Sequence, residues 1–361
     1  MNISVRYNVI KRSVEIKGVN SEYNPETLQN DLPIILFDNL KGKLKKCDKS
    51  SICDLLSVIA GKNRFNTAIE MLESSKWDGR DRIKELFSIL NIEETDELSK
   101  TLIKKWLWQA LSMARNEFEE SYGADGILVL QGKQGIGKTT FVRKMAVHQE
   151  LCKLGQYWDT KDKDTYRRCC SAWIVELCEI ETTFKSDLER LKAFITAEID
   201  EYRLPYGRSG QTLARRAAII GTCNSEKFLI DPTGSRRFWT VPITSIDLDR
   251  LLAFDALQLW LQVEEKNKNN RRSFRLTKNE QIKLSERNTR HEKLLKGQEE
   301  VLDVLSKTNE NHSKLKRYTV EQISIVLNKI GIESKTIAVT INGKRTTKKV
   351  INLPIWECNN E

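Results

Sequence analysis

The spacing of apolar and polar positions changes character along the chain. Near the start, Ser4-Val5-Arg6-Tyr7-Asn8-Val9-Ile10 and Ser13-Val14-Glu15-Ile16 alternate as strands do, and predict a hairpin. From about residue 50 to 118 the period becomes helical. Ile52, Leu55, Leu56, Ile59 and Ala60 fall on one stripe, and Leu102, Ile103, Trp106, Leu107, Ala110 and Leu111 on another. Between them Trp77-Asp78-Gly79-Arg80-Asp81-Arg82 reads as a turn before a short helix over 83–90. Beyond residue 124, short apolar runs at 127–131, 172–177, 217–222 and 238–241 alternate with helical or irregular stretches. Runs so short and so apolar are strands buried on both faces. They predict a three-layer α/β unit with a largely parallel sheet. A helix is expected over 251–263, followed by a charge-dense connector. An amphipathic helix over 319–330 then stops at Gly331, and Asn342-Gly343 between alternating runs signals a second hairpin. The expected division is a mixed segment 1–49, a helical domain 50–120, an α/β core 121–263, a connector 264–310 and a small unit 311–361.

One stretch of that core carries chemistry. Gly132-Lys133-Gln134-Gly135-Ile136-Gly137-Lys138-Thr139 matches G-x-x-x-x-G-K-[ST] with no mismatch, after a predicted strand and before a helix starting at Thr140. The glycines let the backbone curl so that successive N–H groups converge on phosphate oxygens, and the helix N-terminus adds partial positive charge. Gly132 through Thr140 therefore form the expected nucleotide cradle. Lys138 is expected to reach the β- and γ-phosphates, and the Thr139 hydroxyl to hold Mg²⁺.

A nucleotide hydrolase also needs acids at the end of a second strand. Trp173-Ile174-Val175-Glu176-Leu177-Cys178-Glu179 supplies them at the edge where parallel sheets hold ligands. Glu176 and Glu179 are expected to divide the work between the metal or its water and the nucleophile. Spacing leaves open which does which, and Glu181 is a third candidate. The run 217–222 ends in Cys223-Asn224, where Asn224 suits a sensor of the γ-phosphate or its attacking water. Arg236 and Arg237, on a turn after Asp231-Pro232-Thr233-Gly234, suit an arginine finger. Between the second and third strand runs, Lys192, Arg203, Tyr206 and Arg208 mix basic and aromatic character on a Pro/Gly-punctuated loop that suits single-stranded DNA. Arg215-Arg216 reads as an extension of that basic patch or a subunit contact. The C-terminal hairpin carries Lys344, Arg345, Lys348 and Lys349 and, with its helix, resembles the wing of a winged-helix module that binds duplex DNA.

Charge agrees with a polyanionic partner. The net charge of +10 favours nucleic acid first and an anionic membrane surface second. No run approaches the ~18 apolar residues of a membrane span, and no apolar signal segment is visible, so a cytoplasmic protein is expected, with no membrane partner. The eight cysteines form no C-x-x-C pair, and several fall in apolar runs, which reads as reduced thiols rather than a zinc or disulfide framework.

The motifs in their order resemble the virulence-associated protein E (VapE) family. They are Trp77-Asp78-Gly79-Arg80, Gly132 to Thr139, Trp173 to Glu179, Tyr202-Arg203 with Tyr206-Gly207-Arg208, Gly221-Thr222 with Asn224, and Gly234 with Arg236-Arg237-Phe238-Trp239. The resemblance covers about residues 50–260. It implies an AAA+-like P-loop ATPase similar to superfamily 3 helicases of phages and mobile islands, with ATP and Mg²⁺ as cofactors. It further implies a ring, commonly a hexamer, driven along DNA, with Arg236 or Arg237 reaching a neighbour's nucleotide. Phe65-Asn66-Thr67 stands where the family often has a His-Pro pair, so that histidine's role is absent. No primase or polymerase motif is visible before residue 120. The leading expectation is an ATP-dependent helicase or translocase for replication of such an element. The alternatives are an origin-binding remodeller without processive unwinding, or a DNA-binding regulatory or defence module controlled by nucleotide.

Overall fold

The computed structural model describes residues 3–18, 28–40, 48–159, 162–182, 188–203, 210–230, 235–268, 274–292, 323, 326–327, 334–341 and 344–351. They divide between two compact units, one of 1–226 with 236–288 and one of 227–235 with 289–361.

The first unit opens with the expected hairpin, β1 (Ser4–Asn8) and β2 (Ser13–Lys17), which a short β3 (Arg64–Phe65) joins in parallel. Helices α1 (Leu28–Leu40), α2 (Lys49–Lys62), α3 (Thr67–Glu73), α4 (Arg82–Ile89) and α5 (Glu97–Ala114) surround the next segment. Their starts are written locally. Asp48 heads α2, Asn66 α3, Asp81 α4 and Asp96 α5, each accepting a backbone N–H three residues on. The sheet that follows has five parallel strands. β4 (Ile127–Gln131), β6 (Ile174–Leu177), β9 (Ala218–Cys223) and β10 (Phe238–Pro242) occupy the four predicted runs. The fifth, β5 (Cys152–Gln156), was not expected, because this edge strand is only half-buried and carries Lys153 and Gly155 in place of an apolar run. The order across the sheet is β10-β4-β9-β6-β5, so β9 separates the P-loop strand from the acid-bearing strand. The helices α6 (Lys138–Met145), α7 (Lys163–Cys170), α8 (Leu188–Thr196), α9 (Leu248–Ala253), α10 (Ala256–Asn267) and α11 (Lys278–Arg290) complete the α/β arrangement.

The helical segment does not close as a core of its own. Leu102, Trp106, Leu107 and Ala110 of α5 share one apolar cluster with Leu128 and Leu130 of β4, Phe141 of α6 and Trp260 of α10. Three buried indoles fasten the elements. Trp106 Nε1 donates to Ile219 O at 2.9 Å, Trp173 Nε1 to Ala110 O at 3.0 Å and Trp260 Nε1 to Met145 O at 2.7 Å. Each bond avoids the ~1–3 kcal/mol cost of an orphaned buried donor.

Between β6 and β9 the chain makes an antiparallel ribbon, β7 (Ile199–Arg203) and β8 (Gly210–Ala214), where only a loop was expected. At its base Asp200 is fully buried between two arginines. Arg215 meets it at 2.5 Å, and Arg12 pairs with it from the N-terminal hairpin. Arg215 and Arg216 therefore do not extend a surface patch, since they are 0% and 2% exposed and Arg216 reaches Glu117 at 3.2 Å. Burial raises the Asp200 carboxyl, but Arg215 and Arg12 outweigh it and hold the group below its ordinary value. The stability this adds is complete above the unfolded pKa of about 4 and is lost only as pH falls through the lower folded value. Arg215→Ala leaves Asp200 and the aromatic rings around it short of a partner, and should cost about 3–5 kcal/mol in urea denaturation. An unchanged midpoint would show that the buried pair contributes nothing.

In the second unit, β11 (Ser334–Ile341) and β12 (Lys344–Ile351) form the expected antiparallel hairpin, with Ile341 opposite Lys344. Lys344, Arg345, Lys348 and Lys349 lie along β12. The predicted helix over 319–330 lies almost wholly outside the described residues, so the winged-helix expectation rests on the hairpin alone.

Candidate functional site

Strand β4 ends at Gln131, and the loop that follows turns tightly before α6 begins at Lys138. The turn needs glycine. Gly135 and Gly137 have φ of +83° and +99°, a region that L side chains seldom adopt. A Cβ at Gly132 would stand 2.2 Å from the Ile243 carbonyl oxygen. Gly137 heads α6 without a side-chain cap, which leaves the helix N-terminus to a ligand. Lys138 is buried and folds back over the loop. Its ammonium donates to Gly132 O at 2.6 Å, Lys133 O at 2.8 Å and Asn224 Oδ1 at 3.0 Å. Burial lowers the Lys138 pKa, opposed by the nearby carboxylates of Glu181 and Glu176. These neutral oxygens stand where phosphate oxygens would give the ammonium a charged partner, so the residues fit a nucleotide phosphate chain.

Two strand ends bring the acids to the same place. Glu176 is fully buried in β6, beside β9. Its Oε1 accepts from Thr139 Oγ1 at 2.6 Å and Thr222 Oγ1 at 3.2 Å, and its Oε2 from the Gly155 N–H at 3.0 Å. Thr222 did not figure among the expected site residues. The signal for it was a hydroxyl in an otherwise apolar run. The Thr139–Glu176 pair, one hydroxyl and one carboxylate, is a fitting donor set for Mg²⁺, which prefers hard oxygen ligands and shares them with phosphates and water.

Beyond β6 the chain turns at Glu179, whose φ of +47° is left-handed, and Glu179 itself is exposed. Glu181 is the acid that returns to the loop. Its Oε1 accepts the Asn224 N–H at 3.4 Å, and its Oε2 is buried with no hydrogen-bond partner. Asn224 itself is exposed and is held to Lys138 through its side chain. Lys138, Thr139, Glu176, Glu181 and Asn224 thus converge at the C-terminal edge of the sheet, where parallel sheets bind ligands.

The other expected site residues lie elsewhere. Phe238, at the start of β10, pairs with Ile127 at the start of β4. Exposed Arg236 and half-buried Arg237, just before it, are therefore at the opposite edge of the sheet from the P-loop of their own chain. Lys192 lies on α8 instead of a loop, buried, with its ammonium 2.7 Å from Glu189. Arg203 ends β7, while Tyr206 and Arg208 lie outside the described residues. The Trp77 motif is architectural. Trp77 Nε1 donates to Arg80 O at 2.9 Å across Gly79, whose φ is +84°. Asp81 caps α4, and Gln262 of α10 accepts the Arg82 and Ile83 N–H groups at 2.8 and 3.1 Å.

The family model for the virulence-associated protein E-like domain matches residues 72–293, more than half of the chain. The chain belongs to this family. The resemblance read from its motifs is thereby confirmed, and in this VapE-like protein the match takes in both the tryptophan turn and the whole P-loop cluster. Two apo structures of the NrS-1 C-terminal region are similar in fold. One aligns with a TM-score of 0.51 at 15% identity over 97% of this chain and 96% of that one. The other gives 0.52 at 15% identity over 97% of both chains. No curated protein matches the chain. Among the described residues, no helix is long and apolar enough to cross a membrane.

Proposed function

We propose that this protein hydrolyses Mg²⁺·ATP at the interfaces of a ring and uses the cycle to move DNA during replication of a phage or mobile element. The observation that carries the reading is the convergence of Lys138, Thr139, Glu176, Glu181 and Asn224 on one sheet edge. Lys138 and the loop N–H groups bind the phosphates. Thr139 and Glu176 hold Mg²⁺, which when bound neutralises charge on the phosphates. Asn224 reports the γ-phosphate through its hydrogen bond with Lys138. Glu181 orients the attacking water with the oxygen that has no partner. Family membership and the net charge of +10 support DNA as the partner. The deciding experiment is phosphate release with and without single-stranded DNA. Turnover that DNA stimulates supports the reading, and absence of turnover sinks it.

The two glutamates should separate in the same assay. Glu181→Gln is expected to leave ATP bound and to slow hydrolysis by roughly 10²-fold, in the range of a positioned general base. Glu179→Gln should change the rate little, because Glu179 faces solvent. The reverse ranking would return the role to Glu179.

A further inference from the structure

A pocket of about 190 Å³ lies away from the P-loop, between the N-terminal hairpin, β5, α7 and the β7–β8 ribbon. Its wall holds five cationic side chains and no carboxylate: Lys11, Arg12, Lys153, Arg167 and Arg168, with the Tyr202 ring and two serines. Lys153 sits opposite Val175, near the start of β6, which places the pocket toward the sheet edge opposite the P-loop. Arg12 is the most committed of these residues. It is 8% exposed and has a left-handed φ of +57°. That conformation costs energy for a side chain with a Cβ, and the Asn8 side chain supports the turn by accepting the Ile10 N–H at 3.0 Å.

Arg12 is only partly used. Its Nη2 meets Asp200 and Ala214 O and its guanidinium lies 5.4 Å from the centroid of the Tyr202 ring, while Nε and Nη1 are buried without a geometric hydrogen bond. Arg167 Nε is likewise buried without a hydrogen bond, with only a loose approach of 3.4 Å to Asp164. Lys153 donates to the Ser171 hydroxyl at 2.9 Å, a neutral partner. Burial lowers its pKa, and the charges of Arg167 and Arg168 lower it further. Lys11 and Arg168 are balanced from outside the pocket, by Glu15 and Glu150 and by Asp162. Buried N–H donors left empty beside excess positive charge describe a site for a tetrahedral oxyanion.

We propose that this pocket binds a phosphate group, and that the phosphate belongs to the backbone of single-stranded DNA running past the β7–β8 ribbon. The inference rests on the DNA-moving function proposed above and adds where the strand is held. Tyr202 lies on β7 in the pocket wall, and the chain leads from there into the basic and aromatic loop that the sequence marks for single strands. The P-loop edge is already committed to the nucleotide, so this pocket takes a different phosphate.

The test uses the full chain and a fluorescein-labelled oligothymidylate, titrated by anisotropy over a range of salt. A Lys153→Ala/Arg167→Ala double variant should weaken binding by roughly threefold to tenfold. It should also flatten the plot of log affinity against log salt by about 0.7 for each phosphate no longer neutralised. Ser171→Asp is the second variant. It sets a carboxylate against Lys153 without removing a cation, keeps a partner for that ammonium, and should weaken binding similarly. If both variants bind with wild-type affinity and slope, the pocket does not hold the strand. Inorganic phosphate as competitor distinguishes the source of the anion. Should it bind the wild type and not the variants while oligothymidylate affinity stays equal, the pocket takes a free anion and the strand assignment is overturned. A wild-type chain that binds no oligothymidylate overturns the DNA-moving function itself.

Discussion

Lys138→Ala is expected to abolish ATP binding and to reduce turnover on the order of 10³-fold, as removal of a main phosphate-charge donor does. The side chain is buried, and its three acceptors, Gly132 O, Lys133 O and Asn224 Oδ1, are neutral. Phosphate oxygens offer the ammonium charge-assisted bonds in the same partly desolvated setting, and such bonds are about twice as strong. Alanine removes that gain and leaves two loop carbonyls without their donor. Titration with a fluorescent ATP analogue and measured phosphate release check both halves. A variant that binds and turns over ATP like the wild type would remove the P-loop from the mechanism.

Arg236 and Arg237 should give the second large effect, and only between subunits. β4 and β10 run parallel and in register, so residues before Phe238 and residues after Gln131 sit at opposite ends of the same strand pair. Five residues of strand span about 16 Å at ~3.3 Å each, beyond what an arginine side chain bridges. An arginine here therefore has no route to the P-loop edge of its own chain, and would act only on a neighbour's P-loop edge in the proposed ring. Loss of the finger should cost ~10³–10⁵ in rate. Mixing Arg237→Ala chains with Lys138→Ala chains should restore part of the activity, because one intact lysine and one intact arginine then meet at some interfaces. The same mixture with Arg236→Ala decides which arginine acts. No recovery in either mixture would place the arginines' role within one chain or remove it.

Glu181 and the Trp77 turn mark the limit of reading motifs locally. Glu179 stands closer to the strand and matches the acidic motif, yet its left-handed backbone turns the chain so that Glu181 returns to Asn224. Trp77-Asp78-Gly79-Arg80 marks the family but serves the architecture. It sets the start of α4 against Gln262, a residue far along the chain.

Features that depend on neighbours a few residues apart are legible in the chain alone. The P-loop is one, because its glycine conformations, its lysine and its helix start lie within one short segment. The strands β4, β6, β9 and β10 are legible because burial on both faces demands continuous apolar runs. Other features emerge only from packing. The half-buried edge strand β5 and the polar ribbon β7–β8 are held by backbone pairing, which leaves little mark on side-chain pattern. Lys192, Arg215 and Arg216 read as a solvated basic patch until burial and partners are known. Lys192 finds its acid one helical turn away, but Arg215 needs Asp200 and Arg216 needs Glu117 from another part of the chain. The basic pocket gathers Arg12, Lys153, Arg167 and Tyr202 from four separated elements. Charge is written in the sequence, but whether a charge such as that of Arg215 or Arg216 meets a partner is set by long-range packing.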